Sequence, residues 1–75
     1  MDDPCVALAG RLGERGITRL RVRSPGRETC VLEARSTDLP GLLRALLASG
    51  LEAVIIADEI GPIAELSGGS LRALV

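Results

Sequence analysis

Ile17-Thr18-Arg19-Leu20-Arg21-Val22-Arg23, followed after Ser24-Pro25-Gly26 by Cys30-Val31-Leu32-Glu33-Ala34-Arg35, is the stretch on which the fold turns. The first run alternates with period two, placing Thr18, Leu20 and Val22 on one side and Arg19, Arg21 and Arg23 on the other. In the second, Cys30, Leu32 and Ala34 alternate with Val31, Glu33 and Arg35. A one-residue slip would carry either apolar set to the wrong face, so matching those sets fixes the register. Leu20 is expected opposite Leu32, Val22 opposite Cys30 and Arg19 opposite Glu33. A two-residue Pro-Gly loop would instead set Arg21 beside Cys30, so the pairing predicts a longer loop or a bulge.

Working outward, Asp3-Pro4 is a helix start, a capping side chain followed by proline at the first position. Cys5, Leu8, Ala9 and Leu12 then share one helical face, and Gly16 is the expected stop, giving a helix over about Pro4 to Arg15. Gly10 and Gly13 weaken it but would let it lie close to a sheet. Downstream, Ser36-Thr37-Asp38 offers a cap, Pro40 suits a first turn, and Leu39, Leu42, Leu43 and Leu46 form an apolar stripe that Gly50 ends. Leu51 to Ala57 reads as a strand apolar on both sides, with Val54 and Ile56 opposite Leu51, Ala53 and Ile55. Gly61-Pro62 is a break, Ile63 to Leu66 reads as a strand, and Ser67-Gly68-Gly69-Ser70 as a turn. Leu71 to Val75 fits a strand or a short helix.

These elements make one α+β domain over residues 1–75, in the order α-β-β-α-β-β. The expected packing is two helices on one face of a four-stranded, mostly antiparallel sheet. A right-handed strand-helix-strand crossover from Cys30 to Ala57 would leave room for a C-terminal strand between its two strands. That is the ferredoxin-like topology, entered at a different point.

Composition narrows the function. The chain is 47% apolar yet has no Phe, Tyr or Trp, so its core is aliphatic. A core without large rings in so short a chain favours a homodimer, in which a second apolar surface is buried. Lys, His, Asn and Gln are absent too, a bias expected of GC-rich coding and compatible with a heat-tolerant source. The net charge of −1 supplies no basic field for nucleic acid, and there are no sheet aromatics to stack bases. Cys5 and Cys30 read as small buried thiols of a reducing cytoplasm rather than a disulfide or zinc site. The start lacks the basic region of a signal peptide and no apolar run is long enough to span a bilayer, so the expected location is cytoplasmic.

Three groups of residues are candidate sites. Ser36, Thr37, Asp38, Pro40, Gly41 and Leu42 form a strand-to-helix turn, where free amides and the helix dipole attract a carboxylate or phosphate; plain helix capping is the competing reading. Arg19, Arg21, Arg23 and Arg27 could dock an acidic partner, against the alternative of a solvated face with cross-strand ion pairs. Val54 and Ile56 are candidates for a dimer interface at an exposed sheet edge or face. Asp58, Glu59 and Glu65 lack the loop motif of a cation site and read as surface charge. With no His, neither a Cys-His nor a Ser-His-Asp arrangement is available, so no enzyme, cofactor or metal is expected.

Thr37-Asp38-Leu39-Pro40-Gly41-Leu42-Leu43 resembles the Asp-x-Pro-Gly-Leu strand-to-helix motif of ACT domains, with Asp38, Pro40, Gly41 and Leu42 at the matching positions. The likeness continues through Ala48-Ser49-Gly50-Leu51-Glu52-Ala53-Val54 and covers about residues 29–66. It implies a small regulatory module that binds an amino acid, often at a dimer interface, here circularly permuted. The same turn is similar to that of small sulfur-carrier proteins that present Cys-Pro. This chain has Leu39 before Pro40, so it lacks the thiolate such chemistry requires.

Overall fold

The computed structural model of the chain describes residues 3–75. Its elements are α1 (Pro4–Glu14), β1 (Arg19–Arg23), β2 (Cys30–Glu33), α2 (Leu39–Ala48), β3 (Ala53–Ala57), β4 (Gly61–Ser67) and β5 (Ser70–Ala73). The strands form one sheet of order β2-β1-β3-β4-β5 with every neighbouring pair antiparallel.

The hairpin that decides the fold pairs as its apolar pattern requires, with Arg19 opposite Glu33, Leu20 opposite Leu32 and Val22 opposite Cys30. Residues 24–29 connect the strands, longer than a two-residue turn. Within that loop the Arg27 N–H donates to the Ser24 carbonyl at 3.2 Å. Gly26 has φ +73°, so Pro25-Gly26 is the centre of a turn whose second position demands the left-handed region.

Helix α1 buries Cys5, Leu8, Ala9 and Leu12, the face its spacing predicts. The Asp3 side chain accepts the Cys5 N–H at 2.9 Å, as a capping carboxylate should. The two glycines do not serve close packing on the sheet. A Cβ at Gly10 would meet nothing within 4 Å, and one at Gly13 would meet only Ser36 Cβ at 3.5 Å, on the segment leading into α2. The ion pair from Arg44 in α2 to Asp3 at the start of α1, with Gly13 beside Ser36, makes the two helices antiparallel.

Helix α2 departs from expectation in two ways. Leu39 and Leu43 are buried, but Leu42 and Leu46 are only half-buried. The neighbouring β2 is a four-residue edge strand with nothing beyond it to close over that flank. Moreover, Asp38 at the cap position has φ −95° and ψ −12° and its side chain makes no capping hydrogen bond. The backbone does the work instead, with the Asp38 and Leu39 N–H groups both donating to the Arg35 carbonyl, at 2.8 and 3.1 Å.

The sheet has five strands, not four, and its C-terminal strands do not enter between β2 and β3. That slot is filled by β1, so the order differs from the expected ferredoxin-like permutant. Two tight turns are the reason. The turn at 58–60 opens into Gly61 at φ +100°, and Ser67 pairs with Ser70 around Gly68 and Gly69, both at positive φ. Turns this short join only adjacent antiparallel strands, so β4 must lie beside β3 and β5 beside β4. Gly61-Pro62 is thus no break but the start of β4. A bulge tolerates the proline: Ile55 faces Ala64 while Ile56 faces Pro62, leaving Ile63 as the extra residue. Both Ile63 and Ala64 are consequently buried.

All of the core lies on one side of the sheet. Leu20, Ile55, Ile63, Leu39 and Leu43 are fully buried together with the inner face of α1. The molecule measures 32 × 29 × 19 Å, a thickness that fits one sheet and one layer of helices. No helix among the described residues is long and apolar enough to cross a membrane.

Candidate functional site

Among the described residues the other side of the sheet carries no helix, and strand alternation decides what it presents. One row across it runs Val31, Arg21, Ile56, and the next runs Arg23, Val54, Glu65, Arg72. The structure therefore brings together the arginine stripe and the two candidate dimer residues, which lie far apart in the chain. Val31 is 49% exposed; Val54 and Ile56 are half-buried beside Arg23 and Arg21, whose methylene stems can cover apolar neighbours.

Charge on this face is largely cross-strand and mutual. Arg19 pairs with Glu33 at 3.5 Å, Arg21 with Asp58 at 3.0 Å and Arg72 with Glu65 at 2.7 Å. Two of the three acidic residues set aside as surface charge, Asp58 and Glu65, are thus spoken for by arginines. Among the described residues, Arg23 and Arg27 form no ion pair. Both line a cavity of about 500 Å³ at one end of the sheet. Pro25, Thr29, Glu52, Val54, Glu65 and Ser67 contribute to the same wall and floor.

Of the strand-to-helix turn, Ser36, Thr37, Asp38 and Gly41 are exposed, while Pro40 and Leu42 are half-buried. The amino end of α2 is uncovered, because the C-terminal tail runs elsewhere: the Leu74 N–H donates to the Ile63 carbonyl at 2.9 Å. Not every amide there is free, however. Those of Asp38 and Leu39 go to Arg35, that of Leu42 goes to Asp38, and Pro40 has none. Among the described residues the Ser36, Thr37 and Gly41 amides have no backbone acceptor, and a Cβ at Gly41 would meet nothing within 4 Å.

The cysteines differ. Cys5 is buried and free, and its thiol is pushed up from the ordinary range by desolvation first and by the Asp3 charge second. Cys30 is also free but exposed, contrary to the expectation of two buried thiols: it lies on the apolar side of β2, opposite Val22, but β2 is an edge strand with a neighbour on one side only. Asp3, hydrogen-bonded by the Arg44 guanidinium, is held below the ordinary carboxylate value, and Arg44 is raised by the same contact.

The fold and the open face define a class, a two-layer α+β domain with one sheet surface left uncovered. No protein-family model, curated protein or solved structure matches the chain. Sequence reasoning missed Pro25, Thr29, Glu52 and Ser67 as cavity residues. The one available signal was a Pro-Gly turn directly following a row of arginines.

Proposed function

We propose that the chain is a non-enzymatic regulatory or interaction domain that acts as a homodimer through its open sheet face, with Val54 and Ile56 near the centre of the contact. The observation that carries this reading is the one-sided sheet: helices cover one face, and the other presents Val31, Val54 and Ile56 among charges of both signs. Such a face is self-complementary, since a two-fold contact can set arginines of one copy against carboxylates of the other. A stable interface needs about 800 Å² from each partner. The broad face, 32 by 29 Å, is large enough.

Sedimentation equilibrium of the wild type against Ile56→Glu tests this, with circular dichroism to check that the variant folds. Wild type should sediment as a dimer and Ile56→Glu as a folded monomer. A monomeric wild type at about 100 μM, some hundredfold above the Kd of a μM dimer, defeats the reading.

A second reading is favoured by Arg23 and Arg27, the two arginines of the candidate docking group that form no ion pair among the described residues. Both are open to an acidic protein, and docking would then fail in Arg27→Glu, in the loop outside the strand rows, while the dimer persists. An amino acid or other small anion at Ser36 to Leu42 has the support of the uncovered α2 end. The open space at Gly41 means that Gly41→Val can test it without a clash.

A further inference from the structure

We infer that the free edge of β2 is a docking site for an extended segment of a partner protein, one that alternates apolar with basic residues. The segment adds to the sheet as a sixth strand and sets its apolar side chains into the slot between β2 and α2. This edge lies two strands away from Val54 and Ile56 on β3, so the inference goes beyond the dimer reading and does not need it.

The main chain of β2 dictates the form of the partner. The Ala34 N–H donates to the Thr18 carbonyl at 2.9 Å. Alternation along an antiparallel ladder then turns the main-chain groups of Ala34, Leu32 and Cys30 towards β1, and those of Val31 and Glu33 outward. Among the described residues nothing pairs with that outer side. Donor and acceptor recur along it every second residue, about 6.8 Å apart, a repeat that another extended strand matches. Edge strands are commonly blunted by lysine, proline or a bulge. The run Cys30-Val31-Leu32-Glu33 has none of these and keeps an unbroken register with β1. The opposite edge is tied down instead: Arg72 of β5 pairs with Glu65, and the Arg11 guanidinium of α1 donates to the Val75 carbonyl.

Side chains on the two faces of β2 set the pattern the partner must carry. On the helix side a cavity of about 370 Å³ is lined by Val22, Cys30, Leu32, Leu46 and Leu51. Cys30 is exposed and Leu32, Leu46 and Leu51 are half-buried, so apolar area remains there for alternate side chains of an added strand. Arg27 and Glu28 line the same cavity with opposite charges, which leaves apolarity as the selecting property. On the open side the Glu33 side chain is 71% exposed and its contact with Arg19 is long, 3.5 Å, so the carboxylate has room for a second cation. The inner neighbour shows what β2 accepts: β1 sets leucine opposite Leu32, valine opposite Cys30 and arginine opposite Glu33. A strand on the outer side meets those same β2 side chains. Antiparallel like every pair in this sheet, it requires the same alternation.

Fluorescence polarisation with a fluorescein-labelled peptide, Thr-Arg-Leu-Arg-Val-Arg, tests the assignment on the full chain. The peptide should bind. A version N-methylated at its first two arginines, whose amides would face β2, should bind about tenfold more weakly. Val31→Pro removes an outward N–H without touching the ladder to β1 and should also weaken binding about tenfold, with circular dichroism to check that the variant folds. Glu33→Lys, at an exposed position, should weaken it about threefold. Amide hydrogen exchange at Val31 and Glu33 should slow when the peptide is added. No change in polarisation up to about 1 mM peptide overturns the proposal. Equal binding of the N-methylated peptide does so too, as does exchange at Val31 and Glu33 that the peptide leaves unchanged. Ile56→Glu should bind the peptide as wild type does, and loss of binding in that variant would put the peptide on the open face and overturn the assignment. Sedimentation of the same variants reports the dimer separately, so failure of one reading is visible without the other.

Discussion

On the helix-covered side of the sheet Leu20, Ile55 and Ile63 are fully buried, whereas one residue along each strand Arg21, Ile56 and Pro62 face the open side. The same backbone and the same hydrogen-bond ladder serve both surfaces. They differ in what covers them. The covered face gains its energy from aliphatic burial, about 1.5–3 kcal/mol for each large side chain, and the open face has only ion pairs and half-covered valine and isoleucine. Stability should therefore be concentrated in one layer, and the open layer should be free to change for the sake of partners. In a domain of this size the whole margin is about 3–5 kcal/mol, so the contrast is measurable.

The sharpest test sets a deletion in one layer against its counterpart in the other. Leu43→Ala, at a fully buried site, should cost about 2–5 kcal/mol by urea unfolding, enough to leave much of the chain unfolded. Ile56→Ala on the open face should cost less than about 1 kcal/mol measured below the dimer's dissociation constant, where removing a half-covered side chain leaves little cavity. Equal losses would break the comparison.

Glycine offers a subtler contrast within the covered layer. Gly10 sits in mid-helix with nothing within 4 Å of an added Cβ, so Gly10→Ala should raise stability by about 1 kcal/mol. Gly16 has φ +69°, a conformation that costs an L-residue about 1–2 kcal/mol, so Gly16→Ala should lower stability by that much.

The link between the helices adds a pH dependence. Because Arg44 depresses the Asp3 carboxyl below its ordinary value of 3.8, its stabilisation is complete above the unfolded value and is lost as pH falls through the lower folded one. Thermal melts of wild type should weaken below about pH 4 more steeply than those of Asp3→Asn. At neutral pH, Asp3→Ala should lower Tm by about 5 °C through loss of the cap. The smallest effect belongs to the open face, where Arg19 and Glu33 are 62% and 71% exposed. Arg19→Ala should change stability by no more than about 0.5 kcal/mol, and a larger loss would mean that this face is more firmly packed than its partner-free state shows.

Much of the fold was legible because the governing interactions are local. Period-two alternation around Leu20 and Leu32 sets the hairpin register, and 3.6-residue spacing picks out Cys5, Leu8, Ala9 and Leu12, since both depend only on which side of a short element a residue falls. The capping of α2 was misjudged because a suitable side chain at Asp38 says nothing about whether the Arg35 carbonyl will turn to meet the same amides. Among the candidate sites, Arg19, Arg21 and Arg23 could be assigned to one strand face, but their meeting with Val54 and Ile56 could not. That meeting depends on β1 pairing with β3, a contact between segments some thirty residues apart with no turn to dictate it.

The amino-acid order by itself determined the elements, their inward sides and the first hairpin, because steric period and apolar burial act over a few residues. Only the tertiary structure decided that β1 sits between β2 and β3, and that the last two strands fold outward as a meander. From that choice follow the juxtaposition of arginines with apolar side chains and the cavity bounded by Arg27 and Glu52. The physical reason is that strand neighbours are selected by packing the whole apolar layer under two helices at once, a condition no single segment carries.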